Sequence, residues 1–132
     1  MNKKKIMTIC NKLPQKITRL AKKYKVNVKR DPINCLPNTG ASAGKNIWLG
    51  KFDDKGCELM AFFHELGHIK SNIGNRDAYM STLSKEGMAW EIGLTIASKN
   101  GHYWGYDSKA MKWARQQYKT YFNSEYNELN KI

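Results

Sequence analysis

This chain of 132 residues is short of several things, and each shortage closes off a class of protein. It holds three cysteines, Cys10, Cys35 and Cys57, an odd number with no Cys-x-x-Cys pair among them. They read as reduced thiols rather than a disulfide frame or a cysteine zinc knuckle, which points to a cytoplasmic setting. No apolar stretch approaches the length that spans a bilayer. The run from Ile6 to Cys10, interrupted by Thr8, is too short even for the apolar region of a signal peptide. Histidine is scarce too, with three in the whole chain. Acidic residues are missing from the first 30 positions, which carry eleven Lys and Arg; residues 31–132 carry twelve basic and eleven acidic side chains. The net charge of +12 therefore sits at one end. Residues 1–12 read as a basic tail. Basic residues 3–30 as a group are either a solvated face or a surface for an anionic partner, nucleic acid or an acidic protein. No aromatic side chains interleave the early lysines.

What is present argues for one globular domain over residues 1–132. Hydrophobic residues make up 41% of the chain, and seven tyrosines and four tryptophans supply bulk for a single core. The most informative stretch is Ala61-Phe62-Phe63-His64-Glu65-Leu66-Gly67-His68, a His-Glu-x-x-His pattern holding two of the three histidines. On a helix, residues four apart share a face, so His64 and His68 can turn both imidazoles toward one ion. Glu65 is rotated by roughly 100° from His64, which sets its carboxylate beside such an ion rather than on it. Two imidazoles that hold a metal and a carboxylate that works on a water are the parts of a zinc hydrolase. The alternative, two surface histidines and a solvated glutamate, fits less well because Leu59, Phe62, Phe63 and Leu66 recur at helical spacing and give the helix an apolar stripe. Asp53 or Asp54 can cap its start, and Gly74 with Asn75 can end it.

A site of this kind needs a third protein ligand. No histidine follows His68 at short spacing, so the candidates are the downstream carboxylates Glu86 and Glu91, with Asp77 in the intervening loop. Ser84 to Ala97 reads as a second helix, ended by Asn100-Gly101. Glu86, Ala89, Trp90, Gly93 and Ala97 share one face, and its small residues allow a close approach to the motif helix. Glu91 lies about 140° round the helix from Glu86, so both cannot face the ion. Glu86 is the preferred ligand and Glu91 the fallback. Asp77 reads as a turn cap or as a carboxylate orienting a ligand histidine.

His64-Glu65-Leu66-Gly67-His68, then seventeen residues, then Glu86-Gly87-Met88-Ala89-Trp90, resembles the gluzincin clan of zinc metallopeptidases. The Glu-Leu-Gly filling and the preceding Lys45-Asn46-Ile47-Trp48-Leu49 also resemble the ImmA/IrrE-like metallopeptidases of bacteria and their mobile elements, and compact minigluzincins and phage metallopeptidase domains are similar. The resemblance covers roughly residues 44–100. It implies zinc (Zn2+) as cofactor, a protein or peptide substrate, and a glutamate on the following helix as third ligand. It also implies that the strand before the motif helix, Asn46 to Leu49, is an edge on which an extended substrate pairs. A His, Tyr or Arg is expected to stabilise the oxyanion, and His102 and Tyr103 in the aromatic run His102-Tyr103-Trp104-Gly105-Tyr106 are the candidates. An ImmA/IrrE-like role further implies a DNA-bound regulator as substrate.

Around these motifs, Pro14 to Tyr24 reads as an amphipathic helix, Lys25 to Lys29 as a short strand, and Asn34 to Gly44 as a loop, hairpin or flap. Ser108 can cap a last helix reaching about Leu129, with Met111, Ala114, Tyr118, Tyr121, Phe122 and Leu129 as its apolar stripe over the sheet. The fold expectation is α+β, a small zincin-like domain. A short mixed or antiparallel sheet packs on the motif helix, the ligand-glutamate helix and a C-terminal helix. The function expectation is a zinc endopeptidase with metal ligands His64, His68 and Glu86, general base Glu65, and His102 or Tyr103 at the oxyanion. The alternative is a nucleic-acid- or partner-binding module with a structural zinc and no proteolysis.

Overall fold

The first described helix follows directly from its sequence. Pro14 precedes helix α1 (Gln15–Tyr24), on which Ile17, Leu20 and Ala21 are buried while the lysines face out. The helix stops at Lys25, whose left-handed backbone (φ 57°) lets its own N–H and that of Val26 turn back to the carbonyls of Lys22 and Ala21. Such a cap satisfies carbonyls that the last turn would otherwise orphan. The computed structural model describes residues 12–71 and 82–129, with side chains as far as residue 123. Cys10, the basic tail, the proposed helix end at Gly74-Asn75 and Asp77 lie outside the described residues.

Strands β1 (Asn27–Arg30), β2 (Gly40–Ala43) and β3 (Asn46–Leu49) make a mixed sheet in the order β1-β3-β2. β3 runs parallel to β1, with Val28 opposite Ile47, and antiparallel to β2, with Ser42 opposite Ile47. The expectation that Asn46–Leu49 forms the edge is thereby corrected: it is the central strand, and the edge is β2. The reason is Gly44, whose φ of +61° suits the first position of a two-residue hairpin turn and folds β2 back onto β3. Ile47 and Leu49 of β3 are fully buried.

Helix α2 (Lys55–Ser71) is capped by Asp54, whose carboxylate accepts the N–H of Cys57 at 2.9 Å. Every residue from Cys57 to Gly67 is buried. The helix is therefore enclosed on all sides, more than the apolar stripe in its sequence implied. The sheet covers it on one side, and helices α3 (Thr82–Lys99) and α4 (Lys109–Leu129) cover the rest. Apart from Glu58, His64 and Glu65, the side chains buried in that stretch are apolar or small, as a central position demands.

Glu86, Ala89, Gly93 and Ala97 form the buried face of α3, as their spacing predicts. A Cβ built at Gly67 would run into the carbonyl of Ala89, and one at Gly93 into the carbonyl of Phe63. The two backbones are in contact because both helices carry glycine at the crossing. Gly101 (φ +77°) then ends α3, and the N–H of His102 closes back on the carbonyl of Ala97. Ser108 caps α4 through the N–H of Met111. That last helix buries Ala110 and Ala114 but leaves Tyr118 and Phe122 exposed, and it packs on α2 and α3 rather than over the sheet. Leu129 belongs to α4, but its side chain is outside the described set. Among the described residues no helix is long and apolar enough to cross a membrane.

The charged pair Arg30 and Glu58 is buried between sheet and α2, where Arg30 also donates to the carbonyl of Gly50 at 2.8 Å. Removing either partner of such a pair strands the other, at a cost of about 3–5 kcal/mol. It ties the sheet to the helix that carries the site.

Candidate metal centre

Helical periodicity turns His64 and His68 of α2 to one side, their rings 4.7 Å apart and nearly perpendicular. The close α2–α3 crossing brings Glu86 up against both. Glu86 Oε2 lies 2.7 Å from His64 Nε2, and Oε1 lies 3.0 Å from His68 Nε2. One ligand atom from each of the three falls within 4.8 Å of the others, the spacing of a group that can hold a metal ion. The disposition is one that a single ion can occupy. Glu86 Oε2 is buried and, despite the nearness of His64, makes no hydrogen bond. The donor set of two imidazoles and one carboxylate suits zinc.

Charge favours the same arrangement. Burial acts to raise the Glu86 carboxyl, but His64 and His68 beside it more than offset that and hold it at about 2. The carboxylate is thus ionised throughout the physiological range. His64 is itself fixed by packing: its ring stacks on Trp90 of α3 at 4.0 Å and 30°, while its buried Nδ1 has no hydrogen-bond partner. Trp90 and Glu86 come from the same face of α3, so one helix both orients the first histidine and completes the ligand set.

Glu65 lies beside this cluster, itself buried, and Ser42 Oγ of β2 donates to its Oε1 at 2.8 Å. The cluster opens into a cleft of about 570 Å³. One wall is β2 with its flanking turn, Gly40 to Gly44; Lys85, Ile69 and Ser71 contribute to the rim, and Tyr121 of α4 reaches in from above. Burial, with help from the carboxylates of Glu86 and Glu65, pushes the Tyr121 phenol above its ordinary value. At neutral pH it is a proton donor facing the cleft.

The sequence-derived residues divide accordingly. His64, Glu65, His68 and Glu86 converge. Glu91 is exposed on α3 and takes no part in the three-residue group. His102 and Tyr103 do not line the cleft. The His102 ring packs against Phe63 and Trp104, and burial together with the charge of Lys16 lowers its pKa. Tyr103 is 77% exposed. Trp48 is half-buried and is not a cleft residue either. Sequence reasoning missed Ser42 and Tyr121. Ser42 stood in a segment read as loop, hairpin or flap, and Tyr121 stood in an apolar stripe; only the crossing of β2 and α4 over α2 brings them to the site. The two described cysteines are free thiols, and burial raises both, Cys57 to about 11, so neither offers a thiolate at neutral pH. Compared with protein-family models, curated proteins and solved structures, the chain matches none of them.

Proposed function

We propose that this chain is a zinc-dependent endopeptidase of the gluzincin type, acting in the cytoplasm on a peptide bond of another protein, with a DNA-bound regulator as the leading substrate class. One observation carries the reading: His64, His68 and Glu86 converge within 4.8 Å in a cleft whose wall includes the buried Glu65. When bound, zinc activates a water and polarises the scissile carbonyl. His64, His68 and Glu86 would hold the ion. Glu65 takes the proton of the attacking water and hands it to the leaving amine, so the carboxylate ends the cycle as it began. Tyr121 supplies the hydrogen bond to the oxyanion, the role the sequence suggested for His102 or Tyr103. The free edge of β2 carries only Gly, Ala and Ser side chains. Among the described residues nothing bulky there obstructs an extended substrate, which pairs with it main chain to main chain.

The test is metal content and turnover measured on the same preparations. The parent is expected to hold about one zinc per chain, and Glu86→Ala to lose most of it. Glu65→Gln is expected to keep the zinc while hydrolysis falls by on the order of 10³. Full proteolysis by Glu65→Gln, or no zinc in the reconstituted parent, refutes the reading.

A second reading, a binding module for a polyanion with a structural zinc, is favoured by one specific feature. Lys16, Arg19, Lys22 and Lys23 are all exposed on α1, with no acidic residue in that helix. It predicts salt-sensitive DNA or RNA binding that survives Glu65→Gln.

A further inference from the structure

A carboxylate that serves as general base has two chemically equal oxygens and two or three rotatable bonds behind them. Only one oxygen, in one rotamer, accepts a proton in line. Glu65 is on the middle of α2, yet two residues of β2, Gly40 and Ser42, stand against its side chain. Gly40 and Ser42 are two apart on that strand and therefore point to the same face. Gly40 lies alongside the stem: a Cβ there would stand 3.4 Å from Glu65 Cγ, an ordinary contact, and 3.1 Å from Leu49 Cδ2. At Ser42 the hydroxyl meets the head, donating to Oε1 at 2.8 Å.

We propose that Ser42 is the positioning residue of Glu65, tying down one carboxylate oxygen so that the other is the one presented to the reacting water. The inference rests on the hydrolytic reading and deepens it. Proton accounting is simple. Ser42 keeps its own proton throughout, because its hydroxyl donates to Oε1 in both states, strongly to the carboxylate and more weakly to the carbonyl oxygen of the acid. The proton from water travels to Oε2 and from there to the leaving amine. Two features of the strand suit this task. β2 is held in register by β3, with Ser42 opposite Ile47, one of the fully buried side chains. The hydroxyl is therefore fixed to the core and not to a mobile loop. The same strand forms the wall on which the substrate lies, so base and substrate are referenced to one backbone.

The experiment uses the full chain loaded with zinc and compares Ser42→Ala and Ser42→Thr with the parent. Hydrolysis of a peptide is read as kcat and KM separately, and acetohydroxamate affinity is measured by titration. Ser42→Ala is expected to lower kcat about tenfold and weaken acetohydroxamate about tenfold, with KM and zinc content unchanged. Ser42→Thr, which keeps the hydroxyl on a strand-favouring residue, should restore both to within about twofold. The decisive arm repeats the hydroxamate titration in a Glu65→Ala background, where adding Ser42→Ala should change nothing if the hydroxyl acts through Glu65. An unchanged kcat and hydroxamate affinity in Ser42→Ala, even with a lowered Tm, overturns the inference and reduces the hydroxyl to a structural contact. So does a loss that persists without Glu65. A parent that neither cleaves peptide nor binds acetohydroxamate fails at the earlier step, overturning the hydrolytic reading and this inference with it.

Discussion

Tyr121 is where residue-level chemistry and long-range packing meet. Its phenol is held in the protonated form by burial and by the carboxylates of Glu86 and Glu65, and it lines the cleft that contains both. A donor there improves as negative charge develops on the carbonyl oxygen and contributes little to binding the uncharged substrate, so its loss should fall on kcat rather than KM. Tyr121→Phe is expected to lower kcat on the order of a hundredfold with zinc content unchanged. His102→Ala should leave kcat within about twofold once folding is allowed for, because its ring packs on Phe63 and Trp104 outside the cleft. A steady-state comparison of the two variants decides between the phenol and the imidazole. Equal losses would return the oxyanion role to the region of His102.

At the scale of elements, the site depends on how closely α2 and α3 approach. Glu86 meets two histidines because Gly67 and Gly93 let the helix backbones touch. Alanine at Gly67 has the better helix propensity by about 1 kcal/mol. It would also press a methyl group into the Ala89 carbonyl, and relieving an overlap with backbone costs about 1–3 kcal/mol or more by forcing the helices apart. Packing wins. Gly67→Ala is expected to lower stability by about 2 kcal/mol in chemical denaturation and to weaken zinc binding, since separation of the helices pulls Glu86 from His64 and His68. A variant that melts as the parent does and binds zinc equally would show that the crossing has slack. This close crossing is also the part of the architecture most legible in the sequence. The four-residue interval of His64 and His68 is a property of any α-helix, and the run Ala89, Gly93, Ala97 beside Glu86 announces a stripe of small residues. β2 was legible only as one of three options, loop, hairpin or flap, for the opposite reason. Gly-Ala-Ser-Ala holds no β-branched or aromatic residue, and it is a strand only because β3 offers it a partner. Tyr121 was read as part of a buried stripe because its position depends on how α4 crosses α2, and no local periodicity encodes a crossing. The dense aromatics after Gly101 drew the oxyanion expectation to His102 and Tyr103, yet local density says nothing about direction.

Across the whole molecule, charge and cleft occupy opposite ends of the sheet. Residues 12–30 contain eight Lys and Arg and no acid. Arg30 is spent inside against Glu58, while Lys12, Lys16, Arg19, Lys22, Lys23, Lys25 and Lys29 are exposed on or around α1 and β1. In the strand order β1-β3-β2, β1 is one edge and the cleft-lining β2 is the other. A polyanion drawn to the basic edge would therefore leave the cleft open, which is what cleavage of a protein sitting on nucleic acid requires. If about six of these side chains meet phosphates, affinity for duplex DNA should fall with a log–log salt slope of roughly −5. The double variant Lys22→Glu/Lys29→Glu should flatten that slope by about 2 and leave peptide hydrolysis within about twofold of the parent. Fluorescence anisotropy across a salt series, run beside a peptide assay with and without DNA, reads both quantities. DNA binding that blocks hydrolysis would put the polyanion in the cleft instead of on the far edge. No binding at low salt would make the basic edge a solvated face and remove nucleic acid as a partner.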